Sequence, residues 1–185
     1  LGLIPSAAGE IRLFDQDLLD LYGRELKAVR KRIGVIFQDP AASLNPRFPI
    51  GDVIREPLEV HRIGNKNSRV ARVHELLDAV KLPRSVYNRY PHELSGGQRQ
   101  RICIARALVI EPEFIVCDES VSALDVSVQA QVLNLLNDLK DRFGLTYIFI
   151  SHDLSVVKYM SDRLLVMRRG IIEEQGDAKE IYQNP

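Results

Sequence analysis

Two periodicities organise the apolar residues of this chain. Ile33-Gly34-Val35-Ile36-Phe37, Phe114-Ile115-Val116-Cys117 and Thr146 to Ile150 are short runs rich in β-branched and aromatic residues, as buried strands require. Gly96 to Val109 and Val128 to Leu139 instead predict helices, and Val128, Val132, Leu135, Leu136 and Leu139 fall in one stripe. Two apolar strands joined by such a helix form a βαβ unit, which implies parallel strands with helices on their faces. A short helix over Leu154 to Tyr159 follows, then a hairpin of Arg163 to Met167 and Ile171 to Gln175 hinged at Gly170. Upstream, Glu10 to Phe14 predicts a short strand before a polar turn at Asp15-Gln16-Asp17, and Glu25 to Lys31 predicts a helix. Pro40, Pro46 and Pro49 break the pattern. From Ile50 to about Val80 the spacing is helical, with Val70, Val73, Leu76, Leu77 and Val80 on one face. The expected fold is an α/β parallel-sheet core interrupted by a mostly helical lobe.

Composition narrows the function. At 185 residues, with 45% hydrophobic and 27% charged side chains, the chain reads as one globular domain, not a disordered or fibrous segment. Lys+Arg and Asp+Glu both number 25, so no basic excess exists to neutralise phosphates, and nucleic acid is not an expected partner. No apolar run approaches the roughly 18 residues that cross a bilayer, so work at a membrane would use another protein's helices. Cys103 and Cys117 lie in apolar contexts and read as reduced, buried thiols, with the cytosol as default compartment. Leu1-Gly2-Leu3-Ile4-Pro5 resembles the tail of an interrupted helix, so the N-terminus is expected to be truncated. The helical pattern from Ala178 to Tyr182 stops at Asn184-Pro185, as though cut there too.

In α/β sheets ligands bind beyond the carboxyl ends of the strands. Gln38-Asp39, Asp118-Glu119 and Ser151-His152-Asp153 occupy those positions. Adjacent carboxylates at a strand end suit a hard cation and proton chemistry: Asp118 to hold Mg²⁺, Glu119 to polarise a water. A helix cap beside a solvated charge is the competing reading. Ser95 and Gln98 have capping-box spacing, yet Gly96-Gly97 at a helix start costs stability while letting an anion approach the first amides. Arg99, Arg101 and Arg106 read singly as solvated or salt-bridging side chains without catalytic roles. His61, His74 and His92 have neither metal-ligand spacing nor a paired acid. His152 beside Ser151 and Asp153, and Asp125 before the helix near Ser127, also fit simple capping.

Taken jointly, Leu94-Ser95-Gly96-Gly97-Gln98, the strand Phe114 to Glu119, Ser122-Ala123-Leu124-Asp125 and His152 resemble the signature motif, Walker B strand, D-loop and switch histidine of ABC transporter ATPases. Gln38 is similar to the Q-loop glutamine. Phe37-Gln38-Asp39-Pro40 with Ser43-Leu44-Asn45-Pro46 resembles the ATPase subunits of oligopeptide, dipeptide, glutathione and nickel importers. The resemblance implies a P-loop NTPase-like fold with catalytic-core pieces at 1–39 and 112–185 and a helical lobe at 40–111. It implies ATP and Mg²⁺ as cofactors, sandwiched between two such domains. Ser95, Gly96, Gly97 and Gln98 would then serve the partner's ATP, and Asp125 would cross the interface. Asp118 would support Mg²⁺, Glu119 would act as general base, and His152 would contact the γ-phosphate. Gln38 would reach the metal or the attacking water. Permease subunits, a second ABC ATPase and, indirectly, a solute-binding protein are the implied partners, at the cytoplasmic face of the membrane.

No Gly-x-x-x-x-Gly-Lys-Ser/Thr occurs in the chain, so the phosphate-cradling loop is missing and is expected upstream of Leu1. Ser120 stands where the family most often has Pro. An edge of the sheet left uncovered by missing strands would lower stability. The alternative function is a non-catalytic module lending its signature motif to a partner's ATP site.

Overall fold

The computed structural model describes residues 8–183; the interrupted helix read at Leu1 to Pro5 and the stop at Asn184-Pro185 lie outside them. β1 (Arg12–Leu13) pairs antiparallel with β2 (Gln16–Asp17). The turn between them is made by Phe14 and Asp15, at φ 52° and 60°. The sequence pattern had placed this turn at residues 15–17. Phe14 sits at the tip because the Arg32 guanidinium lies 3.5 Å from its ring centroid, which gives the aromatic a partner outside the strand.

Helix α1 (Gly23–Lys31) leads into β3 (Ile33–Ile36). The chain then starts a short helix, α2 (Pro40–Ser43), where the prolines suggested only a break. Asp39 Oδ1 accepts from the amides of Ala41 and Ala42 at 2.7 and 3.2 Å. Pro40 fills the first helical position, where its missing N–H removes no helical bond. Helices α3 (Ile50–Val60), α4 (Lys66–Ala79) and α5 (Gly96–Leu108) pack together as the expected helical region. Ile50, Ile54, Val73, Leu76, Leu77 and Ile102 are each 0% exposed between or beneath them. Val70, assigned to the same face, is only half-buried.

The second half alternates as the periods require: β4 (Phe114–Asp118), α6 (Val126–Phe143), β5 (Thr146–Ile150), α7 (Leu154–Met160), the antiparallel pair β6 (Arg163–Arg168) and β7 (Ile171–Asp177), then α8 (Ala178–Gln183). Helix α6 outruns its apolar stripe at both ends. Asp125 caps its start, and Gly144 ends it at φ 64°. Strands β3, β4 and β5 form a parallel sheet in that order. Ile115 and Cys117, 1% and 0% exposed, belong to the continuous core that also holds residues of α5 and α6, and the Tyr147 hydroxyl donates to the Leu136 carbonyl of α6 at 3.0 Å. On the other face Ile148 and Ile150 remain 49% and 46% exposed. Among the described residues, that face is therefore open at β5, although Ile33 of β3 on the same face is buried beside α1.

Tyr87 docks the helical region together. Its ring lies beside His74 with centroids 5.0 Å apart, and its hydroxyl accepts from Arg55 at 3.1 Å. A Cβ at Gly51 of α3 would lie 2.4 Å from this ring. Gly51→Ala gains about 1 kcal/mol of helix propensity but forces an aromatic anchored on both sides to move, at about 1–3 kcal/mol. The clash wins, so thermal melting of Gly51→Ala should fall by several degrees; an equal or higher midpoint contradicts this packing.

Candidate functional site

Register places the site. Ile36 pairs with Cys117, Cys117 with Phe149, and Asp118 with Ile150. Counting on from these pairs, Gln38, Glu119 and Ser151 leave their strands at the same level. The Glu119 amide still donates to the Ile150 carbonyl at 3.0 Å, after which its backbone turns to φ 43°. Ser122 secures that turn: its amide and hydroxyl both donate to the Glu119 carbonyl, at 3.1 and 2.9 Å. A side chain at positive φ is costly unless its surroundings hold it, and these bonds do so.

The turn presents the Glu119 carboxylate to both neighbouring strand ends. Gln38 Nε2 donates to Oε2 at 2.6 Å, and His152 Nδ1 lies 2.9 Å from Oε1. Glu119 is 29% exposed and His152 72%, so the acid is sheltered and the imidazole faces solvent. This hydrogen bond, and then the charge of the carboxylate, hold the His152 pKa above its ordinary value. His152 is thus engaged by Glu119, while the capping role in its loop belongs to Asp153. Asp153 Oδ1 accepts from the amides of Ser155 and Val156, and its pKa lies below the usual carboxylate range, chiefly through the Ser155 hydroxyl.

The remaining candidates group differently. Asp118 is exposed at the end of β4, next to Glu119. Ser95 and Gln98 form the reciprocal capping box at the start of α5, with bonds of 3.3 and 3.0 Å. Gly96 is exposed, the nearest atom outside its own helix turn being Leu124 Cδ2 at 3.8 Å from an ideal Cβ. For Gly97 the same construction meets Val128 Cγ1 at 2.5 Å. Anion approach is therefore not the whole reason for the second glycine: it lets α5 and α6 cross closely. Asp125 Oδ1 caps α6 by accepting from Val128 N at 3.1 Å and the Ser127 hydroxyl at 2.9 Å. These bonds, the backbone one first, hold its pKa low.

The α5 arginines are structural ties. Arg99 donates to the carbonyls of Pro91 and Leu94, Arg101 to Val80 and Arg106 to Ser43, at 2.5 to 3.1 Å. They were expected to be solvated or ion-paired, but main-chain acceptors from neighbouring segments reach them first. Cys103 and Cys117 are buried free thiols whose pKa values burial pushes up to about 11 and about 12, so neither is a thiolate at neutral pH. Ser122, quoted from sequence only as part of the D-loop resemblance, proves to clamp Glu119, and Gln100 as a fully buried amide was not singled out by sequence.

A parallel sheet whose carboxyl edge carries an acid braced by an amide and an imidazole is consistent with a P-loop NTPase-like domain. The chain belongs to the ABC transporter family, whose sequence profile matches residues 1–122. It is similar to a putative peptide import ATP-binding protein of Brucella ovis, at 52% identity over all of this chain and 58% of the relative. The oligopeptide transport ATP-binding protein OppF of Bacillus subtilis is 55% identical over all of this chain and 61% of its own length. The chain thus spans about three fifths of the curated relatives it matches. A dimeric ATP-binding cassette in a post-hydrolysis state bound to ADP and Pi superposes with a TM-score of 0.80 at 30% identity, over 93% of this chain and 74% of the other. CbiO1 from Clostridium perfringens, part of the ABC transporter complex cbiONQ, gives 0.86 at 27% identity, over 99% and 71%.

The imidazole offers a direct check. A raised folded-state pKa means that the His152–Glu119 contact stabilises the fold below the unfolded imidazole value of about 6.5. That stabilisation disappears as pH rises through the folded value. In an NMR titration His152 should therefore titrate above 6.5, and Glu119→Gln should bring it back down; a His152 pKa unaffected by that substitution contradicts the contact.

Proposed function

We propose that this chain is the hydrolytic centre of an ATP-driven peptide importer, acting in the full-length protein as one of two ATPase subunits beneath transmembrane permeases. The observation that carries this reading is the Glu119 carboxylate, fixed at both oxygens by Gln38 and His152. The peptide assignment rests on the likeness to peptide and oligopeptide import ATP-binding proteins. The same likeness supports permease partners and a location at the cytoplasmic face of the membrane. No helix among the described residues is long and apolar enough to cross a membrane. In this reading residues 1–39 and 112–185 form the catalytic core and 40–111 the lobe that carries the signature motif.

The donor set fits Mg²⁺. Among the described residues no three His, Cys, Asp or Glu side chains cluster as a metal cage. Mg²⁺ does not need one, because it takes one or two carboxylates and completes its shell with waters and phosphate oxygens. Asp118 would hold it, with the Gln38 amide oxygen as second ligand. When bound, it neutralises charge on the phosphate oxygens.

The rest of the chemistry belongs to the side chains. Each Glu119 oxygen has two lone-pair sites, and one of each is used by Gln38 or His152. A water proton can therefore be accepted at Glu119 without breaking either bond, so the bracing by Gln38 and His152 is compatible with its acting as the base. His152, exposed on its outer side, can in its protonated form, which its raised pKa favours, donate from Nε2 to a phosphate oxygen while Nδ1–H remains on Glu119. In such a transfer positioning and electrostatics do most of the work. Ser95, Gly96, Gly97 and Gln98 at the exposed start of α5 would meet the partner subunit's nucleotide, and Asp125, already capping α6, would lie at that interface.

In the full-length protein, Glu119→Gln should lower ATP turnover by about 10²–10⁴-fold, as for loss of a general base. ATP affinity should persist and the ATP-bound dimer should accumulate in size-exclusion chromatography. Turnover within twofold of wild type would remove Glu119 from this role.

A further inference from the structure

We infer that Gln100 is a positioning residue, whose amide becomes satisfied only when α5 shifts against the loops bearing Gln38 and Glu119; this rests on the hydrolytic reading above. Gln100 and Ser120 are the buried polar residues among those described, at 0% and 2% exposure. Neither Nε2 nor Oε1 of Gln100 has a hydrogen-bond partner among the described residues. A primary amide offers two donors and two acceptor sites, and leaving all of them unused in a core is destabilising. Methionine has nearly the same length and volume and carries no such penalty. The sequence thus keeps an amide that this packing does not use.

Its position says what the amide is for. One turn earlier on α5, Gly96 and Gly97 press toward Leu124 and Val128, in the segment that follows Glu119. One turn later, Cys103 Sγ lies 3.9 Å from the Pro40 carbonyl, in the segment that follows Gln38. Gln100 therefore sits on α5 between its contacts to the start of α6, which follows the Glu119 turn, and to the start of α2, which follows Gln38. Neighbouring Arg99 and Arg101 have main-chain acceptors, so the unpaired amide is particular to position 100. A small displacement of α5 against these segments would bring their main-chain groups into range of a four-site amide. The bonds gained there favour the displaced arrangement, and with it the placement of Gln38 and Glu119 for hydrolysis. Gln100 touches no reacting atom; it acts by setting where those side chains stand.

The test is Gln100→Met in the full-length protein, with thermal melting and steady-state ATP hydrolysis measured beside wild type. The expected result combines opposite signs: a melting midpoint higher by about 2–4 °C, and kcat about tenfold lower with KM for ATP within twofold. A merely structural amide does not produce that split. A lower midpoint, or failure to fold, would show that the amide is already bonded in the resting arrangement and would overturn the inference. So would a higher midpoint with unchanged kcat, or a change confined to KM. A wild-type protein without ATP turnover overturns the hydrolytic reading and this role with it, whereas an active wild type and an equally active variant overturn the role alone.

Discussion

Parallel pairing of Ile33–Ile36, Phe114–Asp118 and Thr146–Ile150 brings three chain segments to one edge with their polar groups no longer committed to the ladder. The segments must there find other partners, and they find each other. Glu119 keeps one ladder bond to Ile150, turns through a positive φ, and reaches residue 38 on one side and 152 on the other. A one-residue slip of β4 would send its apolar side chains to the opposite face and carry Glu119 away from both partners. The burial of Ile115 and Cys117 against the helices prevents that slip, so the core that stabilises the sheet also aligns the site.

The helical region is fastened to this sheet mainly by buried apolar contacts and by arginines bonded to carbonyls. The ion pairs are peripheral: Lys81–Asp138, Arg84–Asp78 and Lys140–Asp162 lie at the surface, where such pairs contribute little. Helix α5 joins the two halves. It packs on α2, α3 and α4, and also on β3 and α6. Its start at Ser95 and Gly96 is exposed while its body is buried, so contact at that end has a rigid route to the segments around Glu119.

Much of this was legible from one sequence. The strands stood out because β-branched runs bounded by polar residues have few alternatives, and the placement of Glu119 and His152 at strand ends followed from topology. The ABC transporter resemblance, carried by motifs in order, agrees with the family found by comparison. What escaped depends on long-range geometry. The bond between Gln38 and Glu119 links residues 81 apart, and no local pattern encodes it. Pro40 read as a breaker because its effect depends on Asp39 capping the next two amides. Gly97 suggested anion binding, although its contact with Val128 is a packing demand visible only once α6 is placed. Phe14 moved out of its strand for the sake of Arg32.

If Gln38, Glu119 and His152 form one catalytic unit, their effects on turnover must be strongly non-additive, as for groups that act together in other enzymes. A double-mutant cycle on ATP turnover in the full-length protein, pairing Glu119→Gln with His152→Ala, measures this directly. The expected result is that the double variant is no slower than Glu119→Gln alone. Losses that multiply would mean that the two side chains act independently, and would contradict the carboxylate-centred account of this site.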